Sequence, residues 1–216
     1  MKSIIIGSGE VGGSLYEVLS KQYEVKTYDK LKDRKTISGQ FEILHICFPY
    51  GSSFIKEVKS YQKLYKPKFT VIHSTVPVGT SRKCGAMHSP IRGIYPDMAK
   101  ALLVFPKFIG GKQASQVADY FRRAKFKVIL CDDPEATELG KLLDTEYYRA
   151  CIEFTLKAKK YCDKHKVNFH EAYTLFNQTY NEGFAKLDHP EFIRPVLQPI
   201  MKEIGGHCVV SNSKLI

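Results

Sequence analysis

The sequence predicts an α/β protein: a doubly wound parallel sheet, followed by a mainly α-helical region built on one long helix. Three observations carry that expectation. Short β-branched runs alternate with helical stretches as far as about residue 131. The first run opens directly into a glycine-rich turn. Beyond Pro134 the glycines and prolines nearly vanish, and apolar residues recur at helical spacing.

Ser3 to Ile6 is an apolar, β-branched run of the kind buried on both faces of a parallel sheet. It meets Gly7-Ser8-Gly9-Glu10-Val11-Gly12, then a helical stretch, then a second strand, Tyr23 to Tyr28, ending on Asp29. Strand, G-x-G-x-x-G, helix, strand and an acidic residue about 20 positions on form the dinucleotide-binding order. Gly7 lets the chain turn off the strand, Gly9 lets backbone approach a diphosphate, and Gly12 lets helix pack on strand. The unpaired N–H groups of Glu10 and Val11, in the first helical turn, face the diphosphate. Asp29 accepts the ribose hydroxyls and repels a 2′-phosphate, which favours NAD over NADP. Lys30 and Arg34 nearby weaken that preference.

The alternation continues. Ile43 to Phe48 reads as a strand ending at Pro49, and residues 53–65 as a helix with Phe54, Val58, Tyr61 and Tyr65 on one side. Phe69 to His73 is a strand running into Ser74 and Thr75. Short strands follow at Met87-His88 and Phe108-Ile109, then a helix from Val117 to Ala124 and a last strand from Phe126 to Cys131. From Pro134 to His165, Leu139, Leu143, Tyr147, Ala150, Phe154, Ala158 and Tyr161 mark a helix of roughly 30 residues, far above the usual length. Residues 169–183 form another. The expected division is a dinucleotide-binding domain over 1–132 and a helical substrate and dimerisation region over 133–216.

Composition narrows the classes. The chain is 44% hydrophobic and 25% charged, an ordinary globular balance. Its net charge of +11 raises the question of nucleic acid, but the lysines are dispersed and no zinc-finger or glycine-arginine pattern accompanies them. The six cysteines form no C-x-x-C pair, which points to free thiols in a reducing cytoplasm. No run approaches a membrane span, and the histidines give no metal-ligand spacing.

Four stretches in order carry a family resemblance: GSGEVGG from Gly7, STVPVGTSR from Ser74, ATELGKLLDTEYYRACIEF from Ala136 and GGHC from Gly205. HSPIRG from His88 and FPKFIGG from Phe105 add weaker support. The chain resembles the N-terminal and central parts of the UDP-glucose/GDP-mannose dehydrogenase family. The family's C-terminal nucleotide-binding domain has no counterpart in the 216 residues. The resemblance implies an NAD-dependent oxidation of a sugar or hydroxy-acid alcohol, with a small-molecule substrate and a homodimer built on the long helix. It places Cys208 at the family's nucleophilic thiol, Lys141 at the lysine that steadies the developing oxyanion, and Thr75 beside the nicotinamide. It also marks departures. Ile91 stands where the family has a glutamate that helps deliver water, and Tyr95 replaces a second acid. Thr145 replaces an asparagine, and Ser211 and Asn212 replace a lysine and an aspartate. The alternative reading is a catalytically degraded NAD- or nucleotide-binding protein acting as an interaction module.

Overall fold

The structure is a computed structural model that describes residues 1–33, 37–199, 212, 214 and 215. Seven strands form one sheet: β1 (Lys2–Ile6), β2 (Glu24–Tyr28), β3 (Ile43–Ile46), β4 (Phe69–Ile72), β5 (Met87–His88), β6 (Lys107–Gly110) and β7 (Val128–Cys131). Their order is β2-β1-β3-β4-β5-β6-β7. All neighbours pair in parallel except β5 and β6, which meet antiparallel at His88 and Gly110. A two-residue strand gives the sequence no means of declaring its direction.

Helices cover both faces: α1 (Glu10–Leu19), α2 (Phe54–Tyr65), α3 (Thr80–Cys84), α4 (Met98–Val104) and α5 (Ala114–Arg123). The strand alternation sorts the core into two layers. Ile5 faces Leu15, Leu19, Leu102 and Phe121 of α1, α4 and α5. Ile4 and Ile6 face Phe54, Val58 and Tyr61 of α2 on the other side. The sequence pattern did not mark α3 or α4, because five and seven residues are too few to show a period.

The first face also buries a polar chain. Ser3 Oγ lies 2.9 Å from Tyr120 Oη, which lies 3.3 Å from His45 Nε2. His45 Nδ1 is 3.0 Å from His73 Nε2, and His73 Nδ1 is 2.8 Å from the Ser89 carbonyl oxygen. One assignment of protons satisfies every link: each group donates to the next, ending on the Ser89 carbonyl. The amine of Lys107, only 3% exposed, reaches to 3.3 Å from His73 Nδ1. A charged ammonium there would meet an N–H already donating, whereas a neutral amine offers it a lone pair. Burial draws the Lys107 amine down to about 7, with Cys47 opposing. Burial also holds His45 near 3 and His73 well below its ordinary value, with the Lys107 charge adding to both shifts.

The chain divides into two compact units, Met1–Leu142 with Leu215–Ile216, and Leu143–Lys214. The second unit holds most of α6 (Pro134–His165), a π-helical turn (His170–Leu175), α7 (Phe176–Lys186) and a 3-10 turn (Pro190–Phe192). Within it Phe169 stacks on Tyr173 at 4.9 Å, Phe184 packs on Phe192 at 4.7 Å, and the Arg194 guanidinium lies 3.6 Å above the Tyr180 ring. The apolar stripe that marks α6 in the sequence is exposed: Leu143 is 54% exposed, Tyr147 63%, Phe154 61% and Tyr161 55%. The side chains that α6 buries within this unit, Ile152, Thr155 and Cys162, lie off that stripe. Among the described residues, no helix is long and apolar enough to cross a membrane.

Candidate functional site

The strand register sets the site. Ile6 pairs with Tyr28 on one side and Ile46 on the other, and Ile46 pairs with Ile72. One residue further on, Gly7, Asp29, Cys47 and His73 therefore stand in a row at the C-terminal ends of four parallel strands. Pro49 and Thr75 follow two residues later. Beyond β1 the connections go to β2 on one side and β3 on the other, so a crevice opens where the strand order reverses. Ligands of open α/β sheets bind at that point.

The glycines shape the loop there. Gly7 has φ +95°, and a Cβ on it would stand 2.9 Å from the Phe48 nitrogen. A Cβ on Gly12 would come within 1.8 Å of the Gly7 carbonyl oxygen, so helix and loop touch backbone to backbone. Gly9 is different: nothing lies within 4 Å of its missing Cβ. It faces open space, which a side chain would fill. Gly9 caps α1 without any side-chain partner, and the first helical bond runs from Gly13 N–H to the Gly9 carbonyl. The N–H groups of Glu10, Val11 and Gly12 thus have no partner within the helix, and they carry its positive end. A diphosphate fits this cradle, and NAD carries one.

Asp29 closes the loop from the side. Its Oδ2 accepts from Ser8 N–H at 2.9 Å and from the Ser8 hydroxyl at 3.0 Å, and its Oδ1 accepts from Leu31 N–H at 3.0 Å. Lys32 Nζ donates to Ser8 Oγ at 3.0 Å and to the Ser8 carbonyl at 3.3 Å. The Ser8 N–H above all, then the Leu31 N–H, the Ser8 hydroxyl and the Lys32 charge, hold the Asp29 carboxyl below the usual carboxylate range. It is ionised at neutral pH.

On the far side of the crevice, Ser74 Oγ donates to the Phe48 carbonyl at 2.6 Å, tying the β4 end to the loop that carries exposed Pro49. Thr75, half-buried, lies next to it. The rest of the STVPVGTSR stretch is gripped by the first turns of α6. Glu138 Oε2 accepts from Gly79 N–H at 2.6 Å, and its Oε1 from Ser81 N–H at 2.7 Å. Arg82 forms ion pairs with Asp133 and Glu135. Glu138 is fully buried, and burial raises its carboxyl while the two N–H groups and the Ser81 side chain oppose that rise. Sequence reasoning did not single out Glu138, since one glutamate on a charged helix resembles a solvated one. Its one signal is its place between Thr137 and Lys141.

Lys141 is half-buried, about 60° around α6 from Glu138. The structure therefore puts Gly7, Gly9, Glu10, Val11, Gly12, Asp29, Pro49 and Thr75 at one edge of the sheet. It joins the Thr75 loop to the helix that bears Lys141. Cys208 lies outside the described residues, as does Ser211. Ile91 is 7% exposed within the apolar core, and Tyr95 is 64% exposed.

Neither a protein-family model nor a curated protein matches the sequence. Solved structures do. The UDP-D-ManNAc dehydrogenase of Pyrococcus horikoshii is 18% identical with a TM-score of 0.78, and the match covers 100% of this chain and 64% of that one. A UDP-N-acetyl-mannosamine dehydrogenase of Staphylococcus aureus is 17% identical with a TM-score of 0.73, over 100% and 65%. A 3-hydroxyisobutyrate dehydrogenase of Mycobacterium tuberculosis is 12% identical with a TM-score of 0.66, over 82% and 70%. The chain has the fold these dehydrogenases share, and it spans less than two thirds of the length of the two UDP-sugar enzymes.

Proposed function

We propose that this protein binds NAD in the crevice beside Gly7 to Gly12 and acts as an NAD-dependent oxidoreductase on a CH–OH group. Its substrate is the alcohol of a nucleotide sugar or of a smaller hydroxy acid. The observation that carries the reading is the loop itself: a tight glycine turn, open space over Gly9, free helical N–H groups, and an ionised carboxylate at the end of β2. Bound nicotinamide would supply the hydride acceptor. The chain's own residues do the rest. Glu10 and Val11 offer backbone N–H groups to the diphosphate, Asp29 accepts ribose hydroxyls, and Pro49 and Thr75 flank the nicotinamide side. Lys141 sets a cation beside the alcohol oxygen, so that negative charge developing there as its proton leaves is stabilised. The Cys208 thiolate is the candidate nucleophile toward the resulting carbonyl.

The burial of Ile91 favours a shortened reaction. An isoleucine in the core activates no water, so a thioester formed at Cys208 would lack its usual route to hydrolysis. A single alcohol-to-carbonyl oxidation fits these residues better than two successive ones. The same observation supports the second reading, a dinucleotide-binding protein without turnover that serves as an interaction module.

Residues 1–132 would then hold the cofactor, and 133–216 the substrate and a dimer contact. The exposed Leu143, Tyr147, Phe154 and Tyr161 along α6, spaced as a helix-pairing seam, support a homodimer. Calorimetry should detect NAD binding that Gly9→Trp abolishes. NADH should form with some member of a panel of nucleotide sugars and hydroxy acids, and Lys141→Ala should abolish its formation. Binding without any turnover would select the interaction module, and no NAD binding would end both readings. Light scattering should show a dimer that Phe154→Glu converts to monomer; a monomeric wild type would remove the dimer.

A further inference from the structure

Asp29 and Lys32 meet at Ser8, and their meeting bears on which dinucleotide the loop admits. A carboxylate at the end of the second strand ordinarily receives the ribose hydroxyls and repels a 2′-phosphate. Here both Asp29 oxygens already accept protein donors, Oδ2 from Ser8 twice and Oδ1 from Leu31. The Lys32 ammonium lies 3.0 Å from Ser8 Oγ and 3.3 Å from the Ser8 carbonyl, both uncharged acceptors, and the side chain is exposed. The other charges among the described residues of the segment are engaged elsewhere. Lys30 pairs with Glu57 of α2 at 2.8 Å, and the Asp33 carboxylate accepts the Asp29 N–H at 2.7 Å. Among the described residues, one negative and one positive group thus meet at the same serine. Leaving Ser8 costs Lys32 two neutral, water-exposed hydrogen bonds, which solvent replaces readily, and part of its attraction to the nearby Asp29 carboxylate. A phosphate in its place offers a charge-assisted one.

We propose that Lys32 determines specificity at the adenosine end, accepting a ribose 2′-phosphate beside Asp29 so that the chain binds NADP as well as NAD. The proposal rests on the dinucleotide reading of the loop and adds to it a residue and a second cofactor form.

The test is calorimetric titration of the full chain with NAD, NADP, 5′-AMP and adenosine 2′,5′-bisphosphate, for wild type, Lys32→Met and Lys32→Arg. Wild type should bind NADP within about tenfold of NAD, and Lys32→Met should weaken NADP and the bisphosphate by about tenfold or more. NAD and 5′-AMP should change by less than about threefold, and Lys32→Arg should retain NADP binding. Raising salt should weaken NADP more than NAD. A merely structural role, exerted through Ser8, would shift all four ligands alike, and that result overturns the proposal. So does a wild type that binds NAD but rejects NADP by more than about a hundredfold. A wild type that binds neither NAD nor 5′-AMP removes the dinucleotide reading itself, and this proposal with it.

Discussion

The Asp29–Ser8–Lys32 cluster at the edge of the sheet and the Ser3–Tyr120–His45–His73–Lys107 chain beneath α5 use similar polar groups in different surroundings. The first is partly open to water, with Lys32 exposed. The second is dry: Ser3, His45, Tyr120, His73 and Lys107 are each 3% exposed or less. Water at the edge lets a hydrogen bond be exchanged for another at small cost, as ligand binding requires. Inside, breaking a link from Ser3 through Tyr120 and His45 to His73 leaves a group unsatisfied, so the chain ties β1, β3 and the end of β4 to α5 and takes no part in exchange. Polarity alone does not mark a site; access to solvent separates the two roles.

Substitutions can break this contrast. The largest effect is expected at Gly12→Val. Its Cβ would collide with the Gly7 carbonyl, so dinucleotide binding should vanish and stability should fall by about 3 kcal/mol, read from urea midpoints. Next comes Lys107→Met, which replaces a buried amine by an apolar chain of similar length. It should stabilise the fold by about 2 kcal/mol at pH 7.

Lys107 also gives the pH dependence its sign. Its folded value of about 7 lies below the ordinary 10.5, so between those values the unfolded chain binds more protons. Its contribution to stability is greatest above pH 10.5, declines as pH falls toward 7, and is flat below. Denaturation at pH 7, 8 and 9 should show wild-type stability rising with pH, and Lys107→Met should flatten that rise. The buried histidines act in a lower window. His45 and His88 are held near 3, against 6.5 when unfolded, so stability should fall as pH drops from 6.5 toward 3.

A smaller loss, about 1–2 kcal/mol, is expected for Tyr120→Phe, which strands His45 Nε2 and the Ser3 hydroxyl. The smallest belongs to Lys30→Ala at the edge. Its exposed pair with Glu57 should be worth less than about 0.5 kcal/mol in the same denaturation series.

Much of the edge cluster was legible in the sequence, because its parts lie close together along the chain. Gly7 to Gly12 are contiguous, and Asp29 follows at the spacing of one βαβ turn. Both the β-branched runs and the helical spacing of α6 announced their elements. The buried chain was not legible. Ser3 and Tyr120 are 117 residues apart, and His73 and Lys107 are 34, so only the folded sheet brings them together. A lysine in FPKFIGG reads as a surface residue until Phe121 and Phe126 are seen packed within 6 Å of its amine. The direction of β6 and the grip of Glu138 on Gly79 and Ser81 were hidden for the same reason. They depend on tertiary placement and leave no local period.

The latch between Ser8 and Asp29 has a kinetic consequence. The carboxylate holds the glycine loop through two hydrogen bonds that need no ligand, so the loop has its working shape beforehand. Binding then has little backbone entropy left to lose and no rearrangement to wait for. Mixed rapidly with NAD, the protein should associate in one phase whose rate rises linearly with ligand concentration, whereas Asp29→Ala, with the loop unlatched, should show a plateau set by loop closure.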